Sequence, residues 1–143
     1  MRHDHGTYEL DDDPARIDAM AAWEFLSSHA YWARWRAIDD FAKQLQGAWR
    51  VVGVYRKADG AMVGFARALS DGVALAYLAD VYINSEERGK GLGKELVATM
   101  IDRGPGAGFR WLLHTADAHR LYEQFGFGPP NQTLMERPRP GGH

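Results

Sequence analysis

A glycine-rich turn at residues 87–96, "ERGKGLGKEL", lies between two apolar runs of the sequence. Glycines allow an anion to approach the backbone closely, and the N-terminus of a helix offers unpaired N–H groups and about half a positive charge. Arg88 and Lys90 add positive charge to the turn. The sequence therefore predicts that this turn holds a phosphate-bearing ligand.

Two common phosphate-binding motifs do not fit this turn. A Walker A loop needs four residues between its glycines and a hydroxyl after its lysine, whereas Gly89 to Gly93 is one residue too short and Glu95 follows Lys94. A dinucleotide-binding fingerprint needs a third glycine where Lys94 stands. The spacing that remains is R-x-x-G-x-G, with its glycines at Gly91 and Gly93.

Two segments carry a resemblance to a known family. "LADVYINSEERGKGLGKELVATMI" resembles the acyl-CoA-binding motif of the GNAT superfamily of N-acyltransferases. "ADAHRLYEQFGF" resembles the Y-x-x-x-G-F segment that follows that motif in the family, and the resemblance covers roughly residues 7–137. It implies an α/β (α+β) fold in which helices flank a single mixed, mostly antiparallel sheet, and acetyl-CoA as the acyl donor.

The resemblance also implies which residues contact the donor. The diphosphate is expected at the turn, formed by Arg88, Gly89, Lys90, Gly91, Leu92 and Gly93. Backbone groups of Val81 and Ile83 are expected to receive the pantetheine arm and the acetyl carbonyl. Thr115 occupies the position where relatives often carry an asparagine that touches the pantetheine, so this sequence departs from the family there.

Acyl transfer from a thioester to an amine needs a neutral amine, a stabilised carbonyl oxygen and a proton for the departing thiolate. Tyr122 matches the tyrosine that serves as general acid in many relatives, and a tyrosine's ordinary pKa near 10 lies slightly above that of a thiol. Alternatively, Tyr122 is an aromatic residue that packs in the core. Asp80 matches a frequently acidic position and is either the general base or a structural acceptor, and water can also remove the amine proton.

An aromatic and basic stretch between the first two predicted helices is the candidate acceptor site. Tyr31, Trp32 and Trp35 either form a wall of the acceptor pocket or close over the core. An aromatic face attracts an ammonium group. Arg34 and Arg36 favour an acceptor that also carries a carboxylate.

The periodicity of apolar residues and the turn residues predict the helices and strands that must position these residues. Helical spacing, with Asp13 as N-cap and Pro14 at the first helical position, predicts a first helix. Residues that alternate with a period of two, joined by two Asp-Gly turns, predict a three-strand antiparallel meander. The predicted helices occupy 11–28, 36–47, 92–102 and 116–126, and the predicted strands 7–10, 49–55, 61–69, 73–83, 109–115 and 133–138.

Composition limits the class of protein. With 143 residues, we expect one domain over 1–143 with loose tails at 1–6 and 138–143. A net charge of -2 argues against a nucleic-acid partner, and no apolar run is long enough to predict a membrane span. The chain has no cysteine, and we predict no metal site and a cytoplasmic location.

These observations favour an N-acetyltransferase that transfers an acetyl group from acetyl-CoA to a primary amine of a small molecule or a protein, within a ternary complex. A non-catalytic acyl-CoA-binding module is the alternative from another class. A third alternative is a structural domain that binds no cofactor, and a homodimer stays open. The sequence does not name the acceptor amine.

Overall fold

The computed structural model describes residues 1–29 and 36–140, and these contain one six-stranded sheet. Its strands stand in chain order from one edge to the other. Neighbouring strands run antiparallel except the last two, which are parallel. The predicted mixed, mostly antiparallel sheet is therefore confirmed. The strands are β1 (Arg2–His5), β2 (Tyr8–Asp11), β3 (Arg50–Arg56), β4 (Met62–Ser70), β5 (Leu75–Ile83) and β6 (Arg110–Leu113).

Helices cover both faces of the sheet. In the described ranges these are α1 (Ala19–His29), α2 (Ile38–Gln46), α3 (Leu92–Met100) and α4 (His119–Glu123), with short 3-10 helices at Pro14–Arg16 and Ser85–Glu87. On one face α1 and α2 pack around Leu26, Phe41 and Phe65. On the other face α3 and α4 pack around Leu96 and Tyr122. None of these helices has the length and apolar character needed to cross a membrane.

The N-terminal segment is part of the sheet, so the expectation of a loose tail at 1–6 was wrong. A tight turn with Gly6 at φ 58° joins β1 to β2. The ring of His3 on β1 also reaches α3, where its Nε2 lies 3.1 Å from Oε2 of Glu95. Backbone pairing and this side-chain contact hold the segment although it is almost entirely polar.

The C-terminal part forms no last strand at 133–138, contrary to the prediction. These residues are exposed and without helix or strand, as are 138–140, while 141–143 lie outside the described residues. Prolines at 129, 130 and 138 explain this, since proline has no N–H to donate to a strand ladder.

The first predicted helix is divided in two because it contains two capping aspartates. Asp13 accepts a hydrogen bond from the Ala15 N–H at 3.0 Å and caps the 3-10 helix at Pro14–Arg16. Asp18 then accepts from the Ala21 N–H at 3.0 Å and caps α1. Each cap starts its own helix, so the chain turns between them.

A β-bulge at Ala79 changes which side chains of β5 face each helical layer. Arg67 pairs with Asp80 and Ala68 pairs with Leu78, which leaves Ala79 without a partner on β4. The extra residue reverses the alternation of side chains along the strand. As a result, Tyr77 and Asp80 both point to the face covered by α1 and α2.

Candidate active site

The glycine turn has the backbone that its sequence predicts. Gly89 and Gly91 have φ of 83° and 74°, values that side chains other than glycine's rarely allow. A Cβ at either position would have no atom within 4 Å. Gly91 is the N-cap of α3, and no side chain caps the helix. The turn is therefore open in front of the first N–H groups of α3.

The two cations of the turn are placed differently. Arg88 is exposed, and its side chain has no hydrogen-bond or ion-pair partner among the described residues. The Nζ of Lys90 donates to Tyr8 Oη at 2.9 Å and to Glu87 Oε2 at 3.1 Å. The Lys90 ammonium is thus paired with Glu87 at the base of the turn, although about half of its side chain is exposed, and its contact with a diphosphate stays a prediction.

A buried carboxylate at Glu87 ties the turn to the sheet. The Tyr8 hydroxyl on β2 donates to Glu87 Oε2, and Arg56 Nη1 on β3 donates to Glu87 Oε1 at 2.7 Å. Hydrogen bonds from Tyr8 and Lys90 lower the pKa of Glu87 below its ordinary value. The hydrogen bonds to Tyr8 and Glu87 in turn raise the pKa of Lys90. This network fixes the position of the turn relative to two strands.

The gap between β5 and β6 lies next to the turn. β6 pairs only with Leu75–Leu78, so the rest of β5 has no partner on that side among the described residues. The Asn84 N–H donates to Val63 O on β4 at 2.8 Å. Because backbone groups alternate in direction along a strand, the N–H groups of Val81 and Ile83 point away from β4 and into the gap.

Tyr122 lies on α4, the helix that follows β6. It is 8% exposed, and its ring meets that of Phe127 edge to face at 5.8 Å. Burial, with a smaller effect of Asp117, raises the pKa of Tyr122, so the phenol keeps its proton at neutral pH. Its hydroxyl has no hydrogen-bond partner within the described part of the chain. This leaves the hydroxyl able to donate to a ligand, while the ring packs in the core.

Thr115 serves as a local cap at the start of α4. Its Oγ1 accepts from the Ala118 N–H at 3.0 Å. The hydroxyl hydrogen of Thr115 has no acceptor among the described residues, so the side chain can still donate one hydrogen bond.

Asp80 is enclosed by two arginines, which favours the structural-acceptor alternative over the general base. It is 2% exposed. Arg36 binds it with two hydrogen bonds of 3.1 Å, and Arg67 Nε donates to Oδ2 at 2.8 Å. Taking a proton would weaken these charge-assisted hydrogen bonds and leave two buried guanidinium groups with less compensation.

A cavity of about 360 Å³ lies on the side of the sheet that α2 covers. It is lined by Arg36, Gln44, Gly47, Arg67, Leu69, Tyr77, Ala79 and Asp80. The bulged residue Ala79 thus borders the cavity, next to Leu78, the last residue of β5 that pairs with β6.

A chain of three polar side chains leads from this cavity towards the surface. Tyr77 Oη lies 2.6 Å from Nδ1 of His114, and His114 Nε2 lies 2.7 Å from Oε2 of Glu136. When Nε2–H donates to the carboxylate, Nδ1 is left to accept from the Tyr77 hydroxyl. Burial raises the pKa of Tyr77, which keeps this hydroxyl protonated.

The three aromatic residues of the predicted acceptor wall are not among those that the structure describes. Tyr31, Trp32 and Trp35 lie outside the described residues, so their placement in a pocket stays a prediction. Arg36, at the end of the same stretch, is described and lines the cavity.

The comparison with known families decides the classification. The profile of the Acetyltransferase (GNAT) family matches residues 8–127. The chain belongs to the GNAT family. The resemblance inferred from the two sequence motifs is therefore confirmed.

Individual relatives agree with this GNAT assignment. A crystal structure of a Xanthomonas campestris pv. campestris protein assigned to the GNAT family is 35% identical, with a TM-score of 0.84 over 94% of each chain. A Gibberella zeae protein whose name assigns it as an acetyltransferase is 35% identical over 108 residues, which is 62% of this chain but only 59% of that protein. Aminoglycoside N-acetyltransferase AAC(6')-Iy in complex with CoA shares the fold at 15% identity, with a TM-score of 0.64 and 97% of each chain covered.

Three features of this GNAT site were not predicted from the sequence. Arg67 is the single charged residue in the apolar strand segment "AMVGFARAL", and that isolation was a signal for a buried, paired arginine. Glu87 was assigned no role from the sequence, whereas it is 5% exposed and bound by three side chains. His114 and Glu136 offered no signal, because the contact joins a strand end to an irregular segment 22 residues later.

Proposed function

We propose that this GNAT protein transfers an acetyl group from acetyl-CoA to a primary amine of a small molecule or protein, by direct attack within a ternary complex. The observation that carries the proposal is the gap between β5 and β6. It connects the face with the open glycine turn to the face with the cavity, and two backbone N–H groups point into it. A donor and an acceptor could therefore meet there from opposite faces of the sheet.

The turn suits the diphosphate of the donor substrate. Its backbone is open at Gly89 and Gly91, and α3 begins without a side-chain cap. Arg88 supplies the unpartnered cation, and Lys90 contributes its backbone N–H. The Thr115 hydroxyl and the N–H groups of Val81 and Ile83 are donors for the amide and carbonyl oxygens of the pantetheine arm and the thioester.

The acetyl carbonyl oxygen gains negative charge during attack, and preorganised backbone N–H groups stabilise such charge. The attacking nitrogen forms a bond to the carbonyl carbon, and the carbon–sulfur bond then breaks. The departing thiolate takes the phenolic proton of Tyr122. Burial raises the pKa of Tyr122 further above that of a thiol, so this proton transfer is uphill and the positioned phenol supplies the proton as the carbon–sulfur bond breaks.

The proton of the attacking amine needs another acceptor, since Asp80 is bound by two arginines. The chain from Tyr77 to His114 provides one. Tyr77 Oη accepts a proton from the amine as its own proton moves to His114 Nδ1, and Glu136 stabilises the resulting imidazolium. The phenol thus relays a proton without holding a net charge, and histidine is suited to accept a proton near neutral pH.

The test is the steady-state release of CoA from acetyl-CoA in the presence of a library of primary amines. Amine-dependent release with formation of the acetylated amine supports the proposal. If CoA binds in a calorimetric titration but no amine causes release of CoA from acetyl-CoA, the alternative of a non-catalytic acyl-CoA-binding module is supported. A null calorimetric titration with CoA contradicts both and favours a structural domain.

A further inference from the structure

Arg67 presents an unused edge of its guanidinium group to the cavity. The side chain is 7% exposed, and its Nε donates to Asp80 Oδ2 at 2.8 Å. Its two terminal NH2 groups have no hydrogen-bond partner in the described structure, although Arg67 lines the cavity. Neither terminal nitrogen is among the fully buried unpaired atoms, so both are accessible from the cavity and can donate to a ligand there.

The described lining of the cavity also carries more positive than negative charge. The charged residues that line the cavity in the described part of the chain are Arg36, Arg67 and Asp80, which amount to one net positive charge. Arg36 holds both oxygens of Asp80 and also donates to Gln44 Oε1 at 2.8 Å. Asp80 is thus shared between Arg36 and Arg67, and the terminal donors of Arg67 are the ones that face the cavity without a carboxylate.

We propose that the acceptor carries a carboxylate in addition to its reactive amine, and that Arg67 binds this carboxylate. This inference rests on the proposed acetyl transfer to an amine. A guanidinium group has a planar pair of donors that matches the two oxygens of a carboxylate, and such charge-assisted pairs are strong. The negative charge of the acceptor would balance the excess charge of the cavity.

The position of Arg67 allows one molecule to reach both it and the reacting centre. Arg67 pairs with Asp80 across the two strands, directly after the bulge at Ala79. Tyr77, the proposed proton acceptor, lines the same cavity. The cavity volume of about 360 Å³ lies at the small end of the range for ligand pockets, which suits a compact amino acid.

The substrate preference of the wild-type protein is the first test. With acetyl-CoA as donor, kcat/KM is measured for glycine, β-alanine, γ-aminobutyrate and 5-aminovalerate, and for the amide of each. We expect at least one acid to exceed its matched amide by tenfold or more, through a lower KM, and the best chain length measures the span from Arg67 to the reacting nitrogen. Phosphoethanolamine forms a separate arm, and a preference for it over every carboxylate would overturn the carboxylate assignment.

Substitution of Arg67 is the second test. Arg67→Gln should lower the ratio of acid to amide kcat/KM by tenfold or more, through a higher KM for the acid, and Arg67→Lys should recover part of the preference. The matched control is Arg50→Gln, because Arg50 is also buried and donates to a carboxylate, Asp12, at 2.6 Å, but lines no part of this cavity. The control variant should keep the ratio of acid to amide.

Two further outcomes separate this inference from the proposed function. If no amine releases CoA, the proposed function fails, and direct calorimetric titration of the same acids into the wild-type protein and Arg67→Gln still tests the carboxylate site. If acetyl transfer occurs but acids and amides react equally well in the wild-type protein, the inference is overturned and the proposed function stands. If Arg67→Gln does not fold, the ratio of acid to amide kcat/KM in the wild-type protein still tests the inference.

Discussion

Glutamate at position 91 tests whether the glycine turn binds the diphosphate of CoA. The space in front of Gly91 is open, and its φ is 74°. A carboxylate about 6 Å from each of two phosphate charges repels each by about 0.7 kcal/mol in water by Coulomb's law. The combined repulsion of about 1.4 kcal/mol corresponds to a tenfold weaker Kd, and the bulk of the side chain adds to it. We expect calorimetric titration of CoA into Gly91→Glu to show at least this loss.

The matched control is Gly60→Glu in the turn between β3 and β4. Gly60 has the same φ of 74°, and a Cβ added there would also have no atom within 4 Å. Both substitutions force a side chain into the left-handed region, at a cost of about 1 to 2 kcal/mol, and should lower Tm alike. Only Gly91→Glu should weaken CoA binding. Wild-type affinity in Gly91→Glu, or an equal loss in Gly60→Glu, would refute the reasoning.

Three further predictions concern protons. Tyr122→Phe should lower kcat about tenfold or more with the Kd of CoA unchanged, and full turnover would assign the ring to the core alone. His114→Gln should lower kcat about tenfold or more with the Kd of CoA unchanged, and full turnover would remove His114 from the proton path. Because its folded pKa is lowered, Glu87 should stabilise the fold above its ordinary pKa of 4.5 and lose this effect as pH falls. The free energy of unfolding of Glu87→Gln, measured with urea, should accordingly fall less steeply with decreasing pH than that of the wild-type protein.

Local patterns predicted the parts of the molecule that depend on neighbouring residues. The glycines at 89 and 91 needed positive φ, and the amphipathic pattern after them specified α3. The Asp-Gly turns at 59–60 and 71–72 joined the strands of the meander in the expected order. In each case the determining residues are adjacent in the chain, so their spacing contains the information.

Contacts between distant residues were not predictable in this way. The bond between Tyr8 and Glu87 joins positions 79 apart, and the register that pairs Arg67 with Asp80 depends on a bulge at an ordinary alanine. The polar composition of 1–6 indicated a loose tail, because an edge strand with little apolar surface has no strong hydrophobic pattern. The roles of the Val81 and Ile83 backbone groups were expected from family resemblance alone, and nothing in the residues themselves predicted the gap between β5 and β6.

The placement of α2 and α3 on opposite faces of the sheet has a kinetic consequence. The cavity opens on the α2 face and the glycine turn on the α3 face. Under the proposed function, the acceptor and the donor would therefore enter from opposite faces of the sheet. The sheet itself then imposes no compulsory order of substrate addition.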